Sequence, residues 1–462
     1  MKTHKKLIIT ICIFASLGLS HVALTCPCKE TPITPPVITS PQDGATVFAG
    51  GKYTASCTAA SDKDCDGSKK VTDPVTHTWS GDGSFNPTTG TSVTWTAPTT
   101  TGSATITVTA DDSGTPHNDP PVSDSVTVTV QDIIYVDKDA TGNNNGTSWA
   151  NAFTDLQDAL DVASSYSEIW VADGTYIPDD PDVFFGSNGA RIYGGFAGTE
   201  TARSQRDWTT NETILSGDMG TLGDDSDNSP TVLFVDGDII VVDGFTITGG
   251  RSNTSETAGA LLMSDGGGSV TVTHCVFADN NSIPDGWGGA LYAYAGDAEV
   301  SNCVFVDNAA KWGGAVISVM LDTTFINCTF NGNHATDGGG AVYSLCANAA
   351  ITNCILWGDT ADANDATSEE IFCEFFGSAT VTYTDIEAGW MGTGNINSDP
   401  DFVDDTDPDG NDDQFMTSDD GLDLDSNSPC IDAANAAVAP DDDICGRPRD
   451  EDPDMGAYEY QN

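Results

Sequence analysis

Four short segments decide the fold of this chain: THCVFADN at residues 273–280, SNCVFVDN at 301–308, INCTFNGN at 326–333 and TNCILWGD at 352–359. Their cysteines are 28, 25 and 26 residues apart, and an apolar residue follows two positions after each one. Residues two apart point to the same face of a strand, so both positions are predicted to lie inside the fold. The two columns are Cys275, Cys303, Cys328 and Cys354, and Phe277, Phe305, Phe330 and Leu356.

A bend is predicted just before each cysteine. The position three residues earlier is also apolar, and an odd offset cannot keep two inward side chains on one straight strand. Asparagine, which tolerates the left-handed conformation, precedes three of the cysteines, and histidine precedes the fourth. A second asparagine column follows five residues after the cysteines, where stacked amides can bond from coil to coil. The columns are Val272, Val300, Phe325 and Ile351; His274, Asn302, Asn327 and Asn353; and Asn280, Asn308 and Asn333.

A unit of 25–30 residues with three strands and bends, repeated along the chain, predicts a parallel β-helix. The repeat extends upstream to Phe245 and downstream to Thr384. Crossovers between parallel strands are nearly always right-handed, so we expect a right-handed helix. The predicted fold class is therefore all-β.

A glycine column accompanies the repeat at Gly289, Gly314 and Gly340, and Trp287 and Trp312 stand just before two of these positions. The tryptophans indicate one of two arrangements. They form an exposed aromatic platform for a sugar, or they pack over a loop.

The chain divides into five parts. Residues 1–25 combine a basic start with a short apolar run and are predicted to be a signal peptide. Residues 26–36 form a proline-rich linker, and short alternating strands over 37–132 predict a small β-sandwich. The β-helix is expected over 133–400. The acidic residues 401–462 are expected to complete the β-helix or cap it.

One amphipathic helix is predicted at the start of the β-helix, over residues 154–164. Thr154 and Gln157 fit a capping box, and apolar residues then recur at helical spacing. A lone helix before a long β region is expected to cover the open first coil, whose edge would otherwise pair with another chain.

The chain is strongly acidic. It has 70 Asp and Glu against 16 Lys and Arg, and its net charge of -54 becomes -57 when the three lysines of the signal peptide are removed. This charge disfavours nucleic acid, anionic membranes and, unless metal ions intervene, polyuronates. It favours divalent cations, although an acidic solvated surface is the plainer interpretation. No other long apolar segment follows, so we expect no transmembrane segment in the mature chain and a location outside the cell or at its surface.

Export permits disulfides. The column cysteines are nevertheless expected to be free, buried thiols that act as small apolar fillers, because a disulfide dihedral fits poorly across a flat ladder. No C-x-x-C spacing supports zinc there. The candidate disulfide pairs are Cys57 with Cys65, Cys430 with Cys445, and Cys346 with Cys373.

Further segments resemble exported bacterial proteins of the pectin-lyase-like β-helix superfamily: IYVDKDATGNNNGTSWANAFTDLQDALDVAS at 134–164, EIWVADGTY at 168–176, IYGGFAGTE at 192–200, TILSGD at 213–218 and GFTITGG at 244–250. The ending, SPCIDAANAA through DMGAYEY, resembles the C-terminal part of choice-of-anchor surface proteins. The sandwich resembles bacterial immunoglobulin-like or PKD-type domains. The resemblance implies a right-handed β-helix but no single activity, because this superfamily hosts lyases, hydrolases, adhesins and surface proteins.

No catalytic residues stand out. Glycoside hydrolysis uses paired carboxylates, but in so acidic a chain adjacent carboxylates arise by chance, and the polygalacturonase signatures N-T-D, G-H-G and R-I-K are absent. A uronate lyase needs cations around the substrate carboxylate, and between Pro230 and Pro400 only Arg251 and Lys311 could serve. His274 occupies a bend column, so we interpret it as a bend residue and not as a base.

Two aspartate-rich loops follow the D-x-D-x-D-G pattern of calcium sites. Calcium is the one cofactor that the sequence predicts, and an acidic solvated turn is the alternative for each loop. In the second loop Met416 holds the twelfth place, so Asp412, Asp413 or Asp419 would have to complete it. The candidate metal ligands are Asp62, Asp64, Asp66 and Asp73 in the first loop, and Asp405, Asp407 and Asp409 in the second.

The sequence therefore predicts a secreted or cell-surface-associated structural or binding protein. The sandwich is interpreted as a spacer and the β-helix as a display surface. An extracellular polysaccharide or a cell-surface component is the expected partner, together with divalent cations. The alternative function is a calcium-assisted polysaccharide lyase or glycoside hydrolase.

Overall fold

The computed structural model describes residues 32–61, 64–66, 69–71, 74–112, 119–178, 185–187, 189–221, 223–224, 226–236, 239–252, 254, 257–263, 269–294, 297–320, 322–362 and 370–461. Only the backbone is described at 64–66, 69–71, 187 and 239. The predicted signal peptide and the first part of the linker lie outside the described residues. Within the described ranges, no helix is both long enough and apolar enough to cross a membrane.

Residues 38–131 form a β-sandwich in which two four-stranded sheets enclose one core. Trp79, from the HTWSGDG segment, lies in that core. The immunoglobulin-like resemblance stays a prediction, because unrelated domains share this architecture. One sheet contains β1 (Ile38–Ser40), β3 (Lys52–Cys57), β8 (Ser92–Thr96) and β7 (Ser84–Asn86). The other contains β2 (Thr46–Phe48), β10 (Val122–Gln131), β9 (Gly102–Asp112) and β6 (Val75–Gly81), and a hairpin joins β4 (Asp64–Asp66) to β5 (Lys69–Val71).

From residue 133 the chain winds into the predicted right-handed parallel β-helix, with about seven turns over residues 172–386. Each complete coil contributes one strand to each of three long parallel sheets, while the first strand stands alone in sheet I and the last coil contributes only to sheets I and II. Sheet I contains β11 (Ile133–Val136), β12 (Glu168–Ala172), β15 (Arg191–Phe196), β18 (Ile239–Asp243), β21 (Ser269–Thr273), β25 (Ala298–Ser301), β29 (Thr323–Ile326), β33 (Asn348–Thr352) and β37 (Ser378–Thr382).

Sheet II contains β13 (Gly174–Tyr176), β16 (Thr213–Ser216), β19 (Thr246–Thr248), β22 (Val276–Ala278), β26 (Val304–Val306), β30 (Thr329–Asn331), β34 (Ile355–Trp357) and β38 (Asp385–Ile386). Sheet III contains β14 (Phe185–Ser187), β17 (Leu233–Val235), β20 (Leu261–Met263), β24 (Leu291–Tyr294), β28 (Val316–Val319), β32 (Val342–Leu345) and β36 (Ile371–Glu374). A fourth sheet, here called the ribbon, contains β23 (Asn281–Trp287), β27 (Ala309–Trp312), β31 (His334–Gly338) and β35 (Thr360–Ala361), and lies between sheets II and III along the chain.

The predicted inward columns are confirmed. All four column cysteines and the four apolar residues two positions later are fully buried. The rings of Phe277, Phe305 and Phe330 stack nearly parallel, with centroids 4.9 and 4.6 Å apart. The cysteines are free thiols, as expected, and each donates to a backbone carbonyl two residues earlier.

The predicted bends and asparagine ladder are also confirmed. His274, Asn302, Asn327 and Asn353 all have positive φ, between 47° and 59°. In the second column each buried side-chain amide donates to the residue one coil further on. The nitrogen–oxygen distances are 3.0 Å from Asn280 to Asn308, 2.9 Å from Asn308 to Asn333, and 2.7 Å from Asn333 to Asp359.

The glycine column has a steric cause. A Cβ atom on Gly289 would lie 2.2 Å from the carbonyl oxygen of Gly314, and one on Gly314 would lie 2.3 Å from that of Gly340. Successive coils therefore approach too closely at this turn to admit any side chain.

The capping helix exists but begins later than predicted. Helix α1 spans Leu156–Val162, and its N-cap is Asp155, whose carboxylate accepts from the backbone N–H of Gln157 at 2.7 Å. The predicted capping box is therefore wrong: Thr154 donates to Asn144 instead. An ionised carboxylate interacts more strongly than a hydroxyl with a helix N-terminus. The helix buries its apolar face in the β-helix core, as expected of a cap.

Residues 401–461 add no strand to sheets I to III, so they do not complete the β-helix with a further coil, and the alternative that they cap its end stays a prediction. They form turns, a single short 3-10 helix (Gly410–Asp412) and no strand. Their apolar side chains cover the outer face of sheet II, where Met416, Ile444 and Tyr458 pack on Val276 and Val304. Two further 3-10 helices span Trp149–Asn151 and Arg203–Gln205.

The predicted disulfides are not formed. Cys430 and Cys445 are free thiols in separate apolar clusters and bond to Asp385 and Thr417 respectively. Cys346 is exposed at an outer bend, while Cys373 packs against the core. Cys57 is a buried free thiol, and the side chain of its proposed partner, Cys65, lies outside the described residues.

Candidate functional site

Sheet III carries large apolar side chains on its outer face. The apolar residues directly before and after them pack into the core, as the strand alternation requires. A sheet that faces water on one side normally places polar residues there. The six outward residues, here called the aromatic column, are aligned in register on successive coils: Phe234, Leu262, Tyr292, Ile317, Tyr343 and Phe372.

Trp287 and Trp312 stand in register on the ribbon and pack beside this column. Trp287 meets Tyr292 edge to face, with centroids 6.0 Å apart, and the ring of Trp312 lies 5.1 Å from that of Tyr343. Both indoles are half-buried. Each tryptophan therefore packs over its neighbours, and Trp287 additionally lines a groove.

The groove has a volume of about 390 Å³ and opens on the outside of sheet III. Trp287, Tyr292 and Tyr294 form one part of its lining, and Met320 and Leu345 form another. Pockets for small ligands usually have volumes of 300–1,000 Å³. The groove offers flat apolar ring surfaces next to phenolic hydroxyls, which is the chemistry that a pyranose ring requires.

Exposed apolar residues continue the groove along the bends that follow sheet III. Met320 and Phe375 are each 65% exposed and Phe376 is 102% exposed, and Cys346 lies between them. These four residues, here called the bend strip, all have positive φ, between 47° and 72°. Bulky side chains seldom adopt this conformation, and apolar ones gain nothing from exposure. Such outliers point to a functional reason for the side chains.

A carboxylate borders the bend strip. The hydroxyl of Tyr343 donates to Glu374, and burial first, then this carboxylate, raise the pKa of Tyr343. Tyr343 therefore stays a neutral hydrogen-bond donor at any physiological pH. Glu374 lies directly before Phe375, so an acceptor of hydroxyl protons stands at the edge of the strip.

Sequence reasoning identified only Trp287 among the residues that line the groove. A signal for others was present in LYAY at 291–294, where two tyrosines two apart replace the polar residues of an outer face. The bend strip had no such signal. Its members share no residue type, and only the coil register brings Met320, Cys346 and Phe375 together.

The acid–base candidates around His274 are held in a buried ion-pair cluster. Arg206 donates to the Asp243 carboxylate at 2.5 Å, and His274 lies 3.3 Å from Asp243 and 3.5 Å from Asp442. Burial lowers the pKa of His274, but the bonds and charges of Asp243 and Asp442 outweigh it and raise the pKa to about 9. The imidazole is thus a cation at neutral pH, with a structural role between sheet I and the C-terminal segment.

The predicted calcium loops are described only in part. Asp62 and Asp73 lie outside the described residues, and at Asp64 and Asp66 only the backbone is described, as part of strand β4. In the second loop Asp405 and Asp407 are exposed and Asp409 is half-buried. Among the described side chains, no three His, Cys, Asp or Glu are grouped so that they could hold a metal ion.

Like charges nevertheless crowd the second loop. Burial raises the pKa of Asp409, and the carboxylates of Asp407, Asp412 and Asp413 raise it further. A cation would relieve this repulsion. Calcium at either loop stays a prediction.

Comparison with known proteins identifies one part of the chain. Residues 170–369 match the family described as the right handed beta helix region. No curated protein matches the chain. Two solved structures are similar at low identity, and their low TM-scores mean that neither likeness carries an argument about this chain.

The first is a nucleoside hydrolase-related hypothetical protein from Saccharophagus degradans that is associated with carbohydrate metabolism. It is 20% identical over 22% of this chain and 26% of its own, with a TM-score of 0.18, so this chain spans about a quarter of its length. The second is the family 28 exopolygalacturonase of Yersinia enterocolitica, 11% identical over 76% of this chain and 87% of its own, with a TM-score of 0.20.

Proposed function

We propose that this protein binds a neutral polysaccharide on the outside of sheet III, without transforming it. The aromatic groove is the single observation that carries the proposal: Trp287, Tyr292 and Tyr294 stand around a cavity of about 390 Å³ on a solvated sheet. Aromatic rings pack against the apolar faces of sugars, and their polar atoms bond to sugar hydroxyls. On this view the protein acts outside the cell or at its surface, with the sandwich as a spacer.

The direction of the ligand follows from the coil register. The aromatic column presents one side chain per coil along the helix axis, and the bend strip runs beside it over three successive coils. Strands in a sheet are about 4.8 Å apart, which is comparable to the length of one sugar residue. A polysaccharide lying along the axis would therefore meet an equivalent contact at each successive residue.

Neutral glycans are favoured by charge. The net charge of -54 repels polyanions at long range, and Glu374 at the edge of the strip accepts hydrogen bonds but cannot donate them. Hydroxyl groups of a neutral sugar match this acceptor.

The alternative, a calcium-assisted lyase or hydrolase, would need an accessible acid or base. Asp243 and His274 are buried in ion pairs, so neither of them is available for that role. Screening the full chain for turnover of neutral and acidic polysaccharides, with calcium present, separates the two. Unsaturated or shortened products from purified protein would replace the binding proposal with the enzymatic one.

Binding itself is tested with a glycan array followed by calorimetry on the best neutral ligand. We expect Tyr294→Ala to weaken binding about tenfold or more, because interface aromatics often contribute about 2 kcal/mol. Tyr166→Ala is the matched control, since Tyr166 is 49% exposed but lies away from the groove. Equal affinities for the two variants, or no neutral ligand on the array, would refute the proposal.

A further inference from the structure

The few cations of the β-helix are unevenly placed. Beyond residue 138 the chain has only seven Lys and Arg, and three of them, Arg191, Arg203 and Arg206, fall within sixteen residues on the first coils. All three lie before Pro230, outside the stretch between Pro230 and Pro400 in which Arg251 and Lys311 are the only cations. Two of the three border the same cavity.

That cavity, here called the arginine pocket, has a volume of about 670 Å³ and lies at sheet I. Its lining includes Glu168, Trp170, Arg203, Ser204, Arg206 and Trp208. It is distinct from the groove on sheet III, with which it shares no lining residue.

Arg206 is the fixed part of the pocket. Its side chain is only 9% exposed, donates to Asp243, and holds its guanidinium carbon 4.6 Å from the ring centroid of Trp208. Its charge is compensated by Asp243 at 2.5 Å, so Arg206 anchors the wall and contributes little net charge to the cavity.

Arg203 is the available cation. Its side chain is 45% exposed and its guanidinium carbon lies 4.4 Å over the ring of Tyr193, which fixes its plane. Its one ion-pair partner among the described residues is Glu168, at 2.8 Å through a single nitrogen. A guanidinium has five N–H donors, so this contact leaves room for a second, bidentate partner.

We propose that the arginine pocket binds an oxyanion carried on a ring compound, a carboxylate or a sulfate ester, through the guanidinium of Arg203. Guanidinium groups pair with both anions through two parallel bonds. Ser204 and Trp170 line the same cavity beside Arg203, and they would border the ring that bears the anion. The negative charge of the rest of the protein does not forbid this, because salt screens it beyond about 8 Å.

Glu168 competes with the proposed anion for the guanidinium of Arg203. One of its oxygens accepts from Arg203 and the other accepts from the indole N–H of Trp170 at 3.1 Å. An incoming anion must share Arg203 with Glu168 or displace it. Neutralising Glu168 should therefore strengthen binding, while removing Arg203 should abolish it.

The test measures binding to the full chain by calorimetry at physiological ionic strength, where the charge of the rest of the protein is screened. The probes are galacturonate, galactose 6-sulfate, the methyl ester of galacturonate, and inorganic sulfate. We expect one of the two charged sugars to bind at least tenfold more tightly than the methyl ester. If galacturonate binds more tightly, the anion of the natural ligand is a carboxylate. If galactose 6-sulfate binds more tightly, that anion is a sulfate ester. Inorganic sulfate binding as tightly as either sugar would show that the pocket does not recognise a ring, which would overturn that part of the proposal.

Three variants decide the role of Arg203. Arg203→Gln should weaken binding tenfold or more, and Glu168→Gln should strengthen it several-fold. Lys311→Gln is the matched control, a half-exposed cation paired with Asp285 at 3.7 Å outside the pocket, and should change nothing. Equal effects of Arg203→Gln and Lys311→Gln, or weaker binding by Glu168→Gln with an unchanged melting temperature, would overturn the proposal.

Discussion

Sheets II and III are alike in that both carry apolar residues on their outer faces, and they differ in what covers those residues. On sheet II the C-terminal segment lies over the column that includes Val276 and Val304, and Tyr458 is fully buried there. On sheet III the outer cluster consists of residues of that sheet and of the coil segments beside it. An apolar column on the outside of a β-helix thus indicates that something covers it. On sheet II this is the chain itself, and on sheet III we propose that it is a ligand.

The largest effect is expected inside the helix, which serves as the reference for both outer faces. Phe305→Ala should lower the free energy of unfolding by about 3–5 kcal/mol, because Phe305 stacks between Phe277 and Phe330 and the site cannot collapse. Phe376→Ala, at a fully exposed position, should change it by less than about 0.5 kcal/mol. Urea unfolding measures both. A small effect at Phe305 would contradict the register of the coils.

The covered face and the open face should respond differently to the same substitution. Tyr458→Ala removes a buried ring whose hydroxyl donates to Asp420 at 2.6 Å, and we expect a loss of about 3 kcal/mol. Tyr294→Ala, on the half-buried edge of the groove, should cost less than about 1 kcal/mol. Equal losses of unfolding free energy would mean that both outer faces contribute equally to stability, and this result would contradict the proposal that sheet III is a binding surface.

The contact between the β-helix and its C-terminal segment should weaken in alkali. His274 has a pKa raised to about 9 by Asp243 and Asp442, against about 6.5 in the unfolded chain. Its charge therefore contributes stability that is complete below about pH 6.5 and is lost as the pH rises through about 9. We expect a loss on the order of 2 kcal/mol over this range.

His274→Asn is the control for this pH effect, because asparagine holds the same left-handed bend in three other coils. The variant should lose less stability than the parent protein between pH 6 and 9. Other groups titrate in both proteins, among them Asp420 and Asp454, whose pKa burial raises to about 7, so only the difference between the two profiles reports on the imidazole. Parallel pH profiles for the two proteins would contradict a role for the charged imidazole.

The smallest effect concerns the calcium loops. If each binds calcium at about 10⁻⁴–10⁻³ M, then roughly 2 mM free calcium adds about 0.6–1.8 kcal/mol per site. Asp64→Asn should remove the shift of the first loop and Asp407→Asn that of the second. Sodium chloride at matched ionic strength controls for screening. Equal stabilisation by calcium and by sodium chloride would mean that the two loops are acidic surface turns that do not bind calcium.

The repeat was predictable because it depends on local rules. Strand alternation placed Cys303 and Phe305 inside, and the tolerance of asparagine for positive φ placed the bends at Asn302 and its equivalents. The start of the helix was not predictable from the capping pattern, since Asp155 and Thr154 both suit an N-cap. Only the position of Asn144, which binds Thr154, shows which of them acts as the cap.

By itself the sequence determined the β-helix, its inward columns and its asparagine ladder, because each depends on residues a fixed distance apart along one repeat. Only the tertiary structure decided what lies outside. It placed the C-terminal segment on sheet II, left the free thiols of Cys430 and Cys445 in separate clusters, and aligned Met320, Cys346 and Phe375 beside the groove. The outer contacts join residues that follow no common period, so their partners depend on the path of the whole chain and not on local spacing.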